Sequence, residues 1–302
     1  MLGRLFNYIE IKTKITSTFT FLLTLGFLLY QGREILWGKT LLFFAGMFFF
    51  DLTTTAINNY IDSKDNGQVL AFGRKKSLLI IFILFGISAI LGLYLAYITD
   101  LVVLLAGGFC FICGVFYTFG PLPISRIPLG EVLSGFFYGV MIPFILMYIN
   151  SPANTFLSYS LSLITISLSV QVIPIFTLLL FSVIPFAVTA NIMLANNICD
   201  LEKDIEVKRH TLPYYIGNAA LPLFAGIYYL AYLSMILMTA LRILPPIVLV
   251  SLITIIPVQK NINVFFKKQD KATTFNVSVM NFILIMGADS AAIYLAVLMY
   301  RG

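Results

Sequence analysis

Two polar clusters interrupt an otherwise apolar chain, and each combines carboxylates with amides. The first reads NNYIDSKDN over residues 58–66, and the second reads NNICDLEKD over residues 196–204. Residues four apart lie on the same face of a helix, so each cluster predicts one polar stripe. The stripes are formed by Asn58, Asp62 and Asn66, with Asp65 adjoining, and by Asn196, Asp200 and Asp204.

This pattern indicates a site for a divalent cation. Carboxylates held close together resist ionisation unless a cation neutralises them. Oxygens of Asp and Asn suit Mg²⁺, which keeps several waters, uses few protein carboxylates and often completes its shell with phosphate oxygens. A solvated helix end is the alternative for one cluster alone, and two clusters of matched spacing disfavour it. Basic residues follow both clusters, which predicts a diphosphate-holding site. They are Arg74, Lys75 and Lys76 after the first cluster and Lys208 and Arg209 after the second.

The elements that carry the clusters are predicted to be membrane helices. Of the 302 residues, 60% are hydrophobic and 11% are charged, which is about half the charged fraction of a soluble domain. Continuous apolar runs of roughly 20 residues favour helices over a β-barrel. We therefore expect an all-α polytopic membrane protein with a single domain over residues 1–302, in which the motifs 58–66 and 196–204 mark distant repeat halves. The predicted spans are 15–30, 39–59, 78–98, 101–120, 130–149, 173–195, 220–239, 243–258 and 275–299, and the apolar, Ser-rich segment 156–170 is expected to be a surface-lying or re-entrant piece.

Positive charge predicts the orientation of these nine spans. With the amino terminus inside, most Lys and Arg residues fall on the inner side, and only Arg33, Lys39, Arg242 and Arg301 fall outside. Both clusters then lie at the cytoplasmic ends of spans two and six, and the carboxy terminus lies outside. The net charge of +6 is explained by this topology and by anionic lipid, so we expect a multi-pass cell-membrane protein that does not bind nucleic acid.

Some ionisable or reactive residues lie within the spans. Asp51 precedes Asn58 by seven positions, on about the same stripe but deeper, and an ionisable residue at depth is a functional candidate. We expect it to contact substrate or water in a cavity. Cys110 and Cys113 form a C-x-x-C inside an apolar span, without a second pair or a nearby His, and are interpreted as packing residues.

The two clusters resemble the paired aspartate-rich motifs of the UbiA superfamily of intramembrane aromatic prenyltransferases, which usually read N-D-x-x-D-x-x-x-D. Asn59 and Asn197 stand at the second position of the two copies. The segment YTFGPLPISRIPLGEVLSGF, residues 117–136, is similar to the 1,4-dihydroxy-2-naphthoate polyprenyltransferase branch of menaquinone synthesis. So is DIEVKRHTLP, in which His210 stands where that branch commonly has Arg.

The resemblance implies a nine-helix UbiA-type bundle, with Mg²⁺ as cofactor and a polyprenyl diphosphate and an aromatic acceptor as partners. The implied reaction transfers the prenyl group to 1,4-dihydroxy-2-naphthoate and releases diphosphate and CO₂, and no obligate protein partner is expected. The implied catalytic residues are Asp62, Asp200 and Asp204. The implied metal ligands are Asn58, Asp62, Asp65, Asn196, Asp200 and Asp204. The implied substrate-binding residues are Asp51, Asn58, Asn59, Asp65, Arg74, Lys75, Tyr117, Arg126, Glu131, Asn196, Asn197, Lys208 and Arg209.

The segment 117–136 is expected to bring three of these residues to the inner face. Gly120, Pro121 and Pro123 predict a loop there. Arg126 could hold a diphosphate or a carboxylate, or serve only as a topology charge. Glu131 and Tyr117 could orient an aromatic diol, although Glu131 is equally explained as a first-turn acid of a helix.

Two alternatives remain open from the sequence. The acceptor could be another aromatic compound, such as 4-hydroxybenzoate, homogentisate or haem. From another class, a membrane transporter would also carry repeats and polar groups in helices. The acidic groups gather at one membrane face and not at the midplane, which disfavours a transporter.

Overall fold

The computed structural model describes residues 2–65, 70, 72–117 and 126–301. Within these ranges the chain is mainly helical, and its helices are numbered in chain order. They are α1 Leu2–Tyr8, α2 Ile15–Tyr30, α3 Trp37–Asp65, α4 Arg74–Tyr97, α5 Leu101–Phe116, α6 Gly130–Phe136, α7 Ile142–Ile149, α8 Val172–Cys199, α9 Leu201–Glu206, α10 Leu212–Ile216, α11 Ala220–Ala240, α12 Ile255–Lys267 and α13 Asn276–Arg301. A π-helical turn, Phe137–Met141, joins α6 to α7, and 3₁₀ turns cover Ile11–Lys14, Gly217–Ala219 and Pro246–Thr254.

Apolar helices occupy the positions of the predicted spans. In the described part of the chain, seven helical segments are long and apolar enough to cross a membrane, and the apolar helices α2 and α5 are shorter. The polytopic membrane architecture is therefore confirmed. The span predicted at 243–258 is displaced, because the helical segment runs over Pro246–Lys267. Its second part is amphipathic and buries Val258, Ile262 and Phe265 at helical spacing.

Pairs of neighbouring helices build the bundle. Helix α3 packs along α4, α8 along α11, and α2 along α13, while α6 and the π turn pack against α8. Gly135 and Gly139 allow the last contact, because a Cβ atom at Gly139 would lie 2.2 Å from the backbone nitrogen of Phe186. Small residues four apart are a common means of close helix approach in membranes. This contact joins the first half of the chain to the second.

The segment 156–170, predicted as a surface-lying or re-entrant piece, forms a β-hairpin in a chain that is otherwise mainly helical. Strands β1 Leu157–Leu161 and β2 Ile166–Val170 are antiparallel. Leu157 pairs with Val170 and Leu161 with Ile166, so one face of the hairpin is apolar, and Ser residues alternate on the other face. Alternation with a period of two is a strand pattern and is incompatible with a helix face. The hairpin lies at the opposite end of α8 from the second cluster.

Candidate active site

A largely apolar cavity of about 250 Å³ opens between the helices of the first half. Helices α2 to α7 supply most of its wall, and Met193 of α8 completes it. The π turn contributes Phe137, Tyr138 and Met141, which a regular helix would distribute differently around its axis. Polar groups are few and include Asp51, Asn58 and Tyr117, which the sequence singles out. The space suits an apolar ligand with a polar end.

The first cluster lies on the last two turns of α3. Asn58 lines the cavity, and Asp62 follows one turn later, half-buried. Asn59 lies elsewhere on the helix: its side-chain amide donates to the Tyr8 carbonyl oxygen at 2.8 Å and to Glu10 Oε1 at 3.2 Å. The structure thus ties Asn59 to the amino-terminal segment and not to the cavity. The Asp65 side chain and Asn66 lie outside the described part of the chain.

The second cluster continues almost as one helix from α8 into α9. The Asp200 amide donates to the Asn196 carbonyl at 3.0 Å, and the Asp204 amide donates to the Asp200 carbonyl at 2.8 Å, so helical bonding persists across the break at Asp200. Asp204 is buried and lies 3.8 Å from Arg209. Burial raises the pKa of the Asp204 carboxyl above its usual range, and the Arg209 guanidinium partly opposes this rise.

A lysine that sequence reasoning did not select contacts the second cluster. The Lys271 ammonium group donates to Asp200 Oδ2 at 2.6 Å and also to Asn196 Oδ1. Lys271 lies in the turn between α12 and α13, more than 70 positions along the chain from both Asn196 and Asp200. No local pattern in the sequence connects these residues, and Lys271 was interpreted only as an inner-side topology charge. Two of the six predicted metal ligands, Asn196 and Asp200, therefore already bond a positively charged group.

Buried polar contacts lie beside the second cluster and the cavity. The Asn197 side-chain amide donates to Glu131 Oε1 at 2.8 Å, and both residues are buried. The Tyr117 hydroxyl donates to the Met193 sulfur at 3.7 Å and would lie 3.2 Å from a Cβ atom at Gly130. Tyr117, Glu131 and Asn197 therefore lie around the same end of α8, as the sequence predicts for Tyr117 and Glu131.

The predicted basic residues have different surroundings. The Arg74 guanidinium lies 4.6 Å from the ring centroid of Tyr60, on the first-cluster helix. The carbonyl of Arg126 accepts a hydrogen bond of 3.1 Å from the His210 amide, which brings the segment after α5 to the loop after α9. Lys75 and Lys208 are exposed. Gly120, Pro121 and Pro123 lie outside the described residues.

Asp51 is the centre of a buried ionic network in the cavity wall. The Lys14 ammonium group donates to Asp51 Oδ1 at 2.7 Å, and both side chains are about 5% exposed or less. The Tyr138 hydroxyl donates to the same oxygen at 2.8 Å, and the Ser17 hydroxyl donates to Asp51 Oδ2 at 2.6 Å. Sequence reasoning missed Lys14 and Tyr138. The position of Lys14 directly before α2 is the one signal in the sequence that could have suggested it as the partner of Asp51.

Asp289, which sequence reasoning left unassigned, lies away from the cavity. It accepts a hydrogen bond of 2.5 Å from the Ser251 hydroxyl and is fully buried between α13 and the 3₁₀ segment. We interpret it as a contact between helices.

The chemistry of the donor set decides whether a divalent ion fits. Among the described residues, no group of three His, Cys, Asp or Glu side chains is arranged to hold a metal ion. Mg²⁺ does not require such a group, since one or two carboxylates, waters and substrate phosphates are enough. Asn196 and Asp200 offer oxygens that a cation already contacts. Asn197 Oδ1 and Glu131 Oε2 are buried and have no hydrogen-bond partner among the described residues. With so few carboxylates, Asn196, Asp200 and their neighbours fit Mg²⁺ bound together with phosphate better than they fit Mg²⁺ alone.

Comparisons with known proteins agree with this architecture. The UbiA prenyltransferase family model matches residues 19–285. The 1,4-dihydroxy-2-naphthoate octaprenyltransferase of Bacillus subtilis is 28% identical over 210 residues, which are 64% of this chain and 61% of that protein. This chain therefore matches less than two thirds of that relative's length.

Solved structures show the same fold. A UbiA homologue from Aeropyrum pernix, solved without ligand, aligns with a TM-score of 0.66 at 14% identity and covers 96% of this chain and 98% of its own. A UbiA homologue from Archaeoglobus fulgidus bound to GPP and Mg²⁺ aligns with a TM-score of 0.60 at 13% identity. The alignment covers 98% of this chain and 99% of that homologue. The extent of the family match places this chain in the UbiA prenyltransferase family.

Proposed function

We propose that this protein transfers a polyprenyl group from its diphosphate to 1,4-dihydroxy-2-naphthoate, with Mg²⁺ as cofactor. One observation carries the proposal: side-chain oxygens of Asn196 and Asp200, which bond the Lys271 ammonium group, lie one and two turns beyond Met193. Met193 lines an apolar cavity that Asn58 also lines. This arrangement suits a diphosphate at the polar end and a prenyl chain inside. The relatives support it, since one is named a dihydroxynaphthoate octaprenyltransferase and another was solved with GPP and Mg²⁺.

The two clusters and the residues around them would hold the leaving group. Asp62, Asp200 and Asp204, with Asn58, Asp65 and Asn196, are the proposed metal ligands. Bound there, Mg²⁺ would neutralise the negative charge that grows on the diphosphate. Arg74, Lys75, Arg126, Lys208 and Arg209 are the proposed sources of further positive charge. Stabilising the leaving group as charge develops is the main electrostatic contribution to such a reaction.

The cavity would protect the reacting carbon. As the allylic carbon–oxygen bond breaks, the electron pair leaves with the diphosphate, and the prenyl carbon becomes electron-deficient. Apolar walls exclude the water that would otherwise intercept it, and aromatic faces such as that of Tyr117 stabilise positive charge. The ring carbon that carries the carboxylate then forms the new carbon–carbon bond. Loss of CO₂ returns the electron pair of the broken carbon–carbon bond to the ring and gives the hydroquinone form of demethylmenaquinone, without any oxidation of the ring.

The acceptor would lie between the cavity and the second cluster. Glu131 is held by Asn197 at 2.8 Å, and Tyr117 lies beside Met193, so both are proposed to orient the aromatic diol. Asp51 is proposed to act in the cavity wall, with its charge balanced by Lys14. Asn59 remains a weaker candidate, because its amide is engaged with Tyr8.

We further propose the membrane arrangement that the charges predict. The protein would cross the cell membrane nine times as a single domain of two distant repeats, with its amino terminus and both clusters on the cytoplasmic side and its carboxy terminus outside. The seven long apolar segments and the two shorter apolar helices of the described chain would be the nine crossings. Cysteine accessibility from either side of intact cells would test this arrangement.

A transfer assay tests the reaction. Purified protein is incubated with Mg²⁺, a labelled polyprenyl diphosphate and a panel of acceptors that includes 4-hydroxybenzoate, and products are identified by mass. We expect dihydroxynaphthoate to be prenylated with loss of CO₂. Asp62→Ala and Asp200→Ala should abolish transfer in folded protein, whereas Glu202→Ala, an exposed acid in the second cluster, should retain it. Full activity of Asp200→Ala would contradict the metal-site assignment, and transfer only to another acceptor would contradict the substrate.

A further inference from the structure

The turn between α12 and α13 holds Lys271 in a defined position. Asp270 organises the turn: its Oδ1 accepts from the Thr273 amide at 2.8 Å and from the Thr273 hydroxyl at 2.6 Å. The Asp270 amide donates to Thr274 Oγ1 at 2.9 Å, and the Thr274 amide donates back to the Asp270 carbonyl at 2.9 Å. Side-chain bonds of this kind fix a local backbone turn. Lys271 follows Asp270 and is directed by this turn toward the second cluster.

Lys271 contacts the same oxygens that the proposed metal would need. Its ammonium group bonds Asp200 Oδ2 at 2.6 Å and Asn196 Oδ1, and it lies 4.9 Å from the ring centroid of Phe275. The Lys271 side chain is 42% exposed and that of Asp200 is 23% exposed. An exposed pair of this kind is weak, worth about 0–1 kcal/mol. The contact is thus easily exchanged and does not hold the fold together.

A divalent ion and an ammonium group cannot both bond this oxygen pair at short range. Mg²⁺ binds oxygen at about 2.0–2.1 Å, so a metal on Asp200 would repel the positive charge of Lys271. The lysine stem is flexible and has three donors, and its partial exposure leaves it room to move. A diphosphate held by the metal would offer the nearest new negative charge.

We propose that Lys271 is a tethered cation of the diphosphate site. It neutralises Asp200 and bonds the Asn196 oxygen when no divalent ion is bound, and it moves to a diphosphate oxygen when the ion takes its place. This inference rests on the proposed function. It adds a substrate-binding residue from a part of the chain in which the sequence pattern predicts none.

The proposal predicts opposite changes in two affinities. In Lys271→Gln the competing charge is gone, so Mg²⁺ or Mn²⁺ alone should bind roughly two- to fivefold more tightly. Inorganic pyrophosphate at saturating Mg²⁺ should bind about tenfold more weakly, because one charge-assisted hydrogen bond is lost. Both are measured by isothermal titration calorimetry on purified full-length protein. Lys271→Arg should keep most of the pyrophosphate affinity.

Lys268→Gln is the matched control. Lys268 lies in the same turn, is 64% exposed and is 3.8 Å from Asp270, so both affinities should stay at the wild-type values. If Lys271→Gln lowers the affinity for both the divalent ion and pyrophosphate, Lys271 only shapes the site and the inference is wrong. Unchanged affinities for both ligands would overturn it as well. If the wild-type protein itself binds no pyrophosphate with Mg²⁺ and transfers no prenyl group, the proposed function fails together with this inference.

Discussion

Replacing Asp51 with asparagine tests whether the buried network in the cavity wall depends on charge balance. Asn keeps the shape and one acceptor oxygen, so the Tyr138 hydroxyl still has a partner. The Lys14 ammonium group loses its counter-charge while only 4% exposed. Removing one member of a buried ion pair costs about 3–5 kcal/mol. Because Asn retains an acceptor, we expect the lower end of this range, about 3 kcal/mol.

The effect should be visible as a shift in thermal unfolding. With roughly 2–4 °C per kcal/mol for a large domain, Asp51→Asn should lower the unfolding midpoint by roughly 6–12 °C. Thermal unfolding is measured in detergent by a signal that does not depend on tryptophan fluorescence. All variants are heated at one scan rate, because unfolding of such proteins is often irreversible. Glu34→Gln, at an exposed acid, controls for the loss of one negative charge.

A double variant separates charge from packing. Lys14→Met with Asp51→Asn removes both charges at similar volume and keeps an acceptor oxygen for the Tyr138 hydroxyl, and replacing a buried ion pair by uncharged groups is often neutral. We expect it to recover most of the lost stability. The reasoning from charge balance is refuted if Asp51→Asn has the same unfolding midpoint as Glu34→Gln. It is also refuted if the double variant unfolds at a lower temperature than Asp51→Asn.

Three further predictions concern packing, the acceptor side and the metal. Gly139→Ala should prevent stable folding, seen as aggregation in size exclusion, since its Cβ would lie 2.2 Å from the Phe186 nitrogen, whereas Gly86→Ala meets nothing within 4 Å and should fold normally. Glu131→Ala should lower the rate of prenyl transfer about tenfold by leaving the Asn197 amide unpaired, and Glu131→Gln, which keeps an acceptor, should lower it less; equal losses would contradict this role. Chelation with EDTA should abolish transfer without lowering the unfolding temperature, and added Mg²⁺ should restore it; activity that survives chelation would contradict metal dependence.

Periodicity and composition were enough to predict the elements that carry the site. Asp51 and Asn58 both line the cavity, as their seven-residue spacing on one helix predicts. The continuation of α8 into α9 keeps Asn196, Asp200 and Asp204 on successive helical turns. Such features depend on local backbone geometry, which a sequence encodes directly. The same is true of the hairpin: its strict Ser alternation is present in the sequence, although the sequence analysis predicts a surface-lying or re-entrant piece there.

Long-range side-chain partners could not be predicted in this way. Lys271 meets Asp200 across 71 positions, and Asn59 meets Tyr8 across 51. Both contacts depend on how distant segments fold back onto a helix, and neither is encoded by spacing. Asn59 is predicted to bind substrate because its position matches the UbiA motif, yet its amide bonds the amino-terminal segment.

The hairpin also limits how α8 sits in a bilayer. Among the described residues, each strand has a neighbour on one edge only, and an open strand edge cannot lie in hydrocarbon, where each unsatisfied backbone group costs several kcal/mol. We infer that the start of α8 marks the boundary of the lipid tails. The 28 residues of α8 span about 42 Å, whereas the hydrocarbon layer is roughly 30 Å thick. With the helix upright, its far end and Asp200 would emerge roughly 10 Å into the headgroup zone, where the charged end of the proposed prenyl diphosphate could meet water while its lipid tail stays in the membrane.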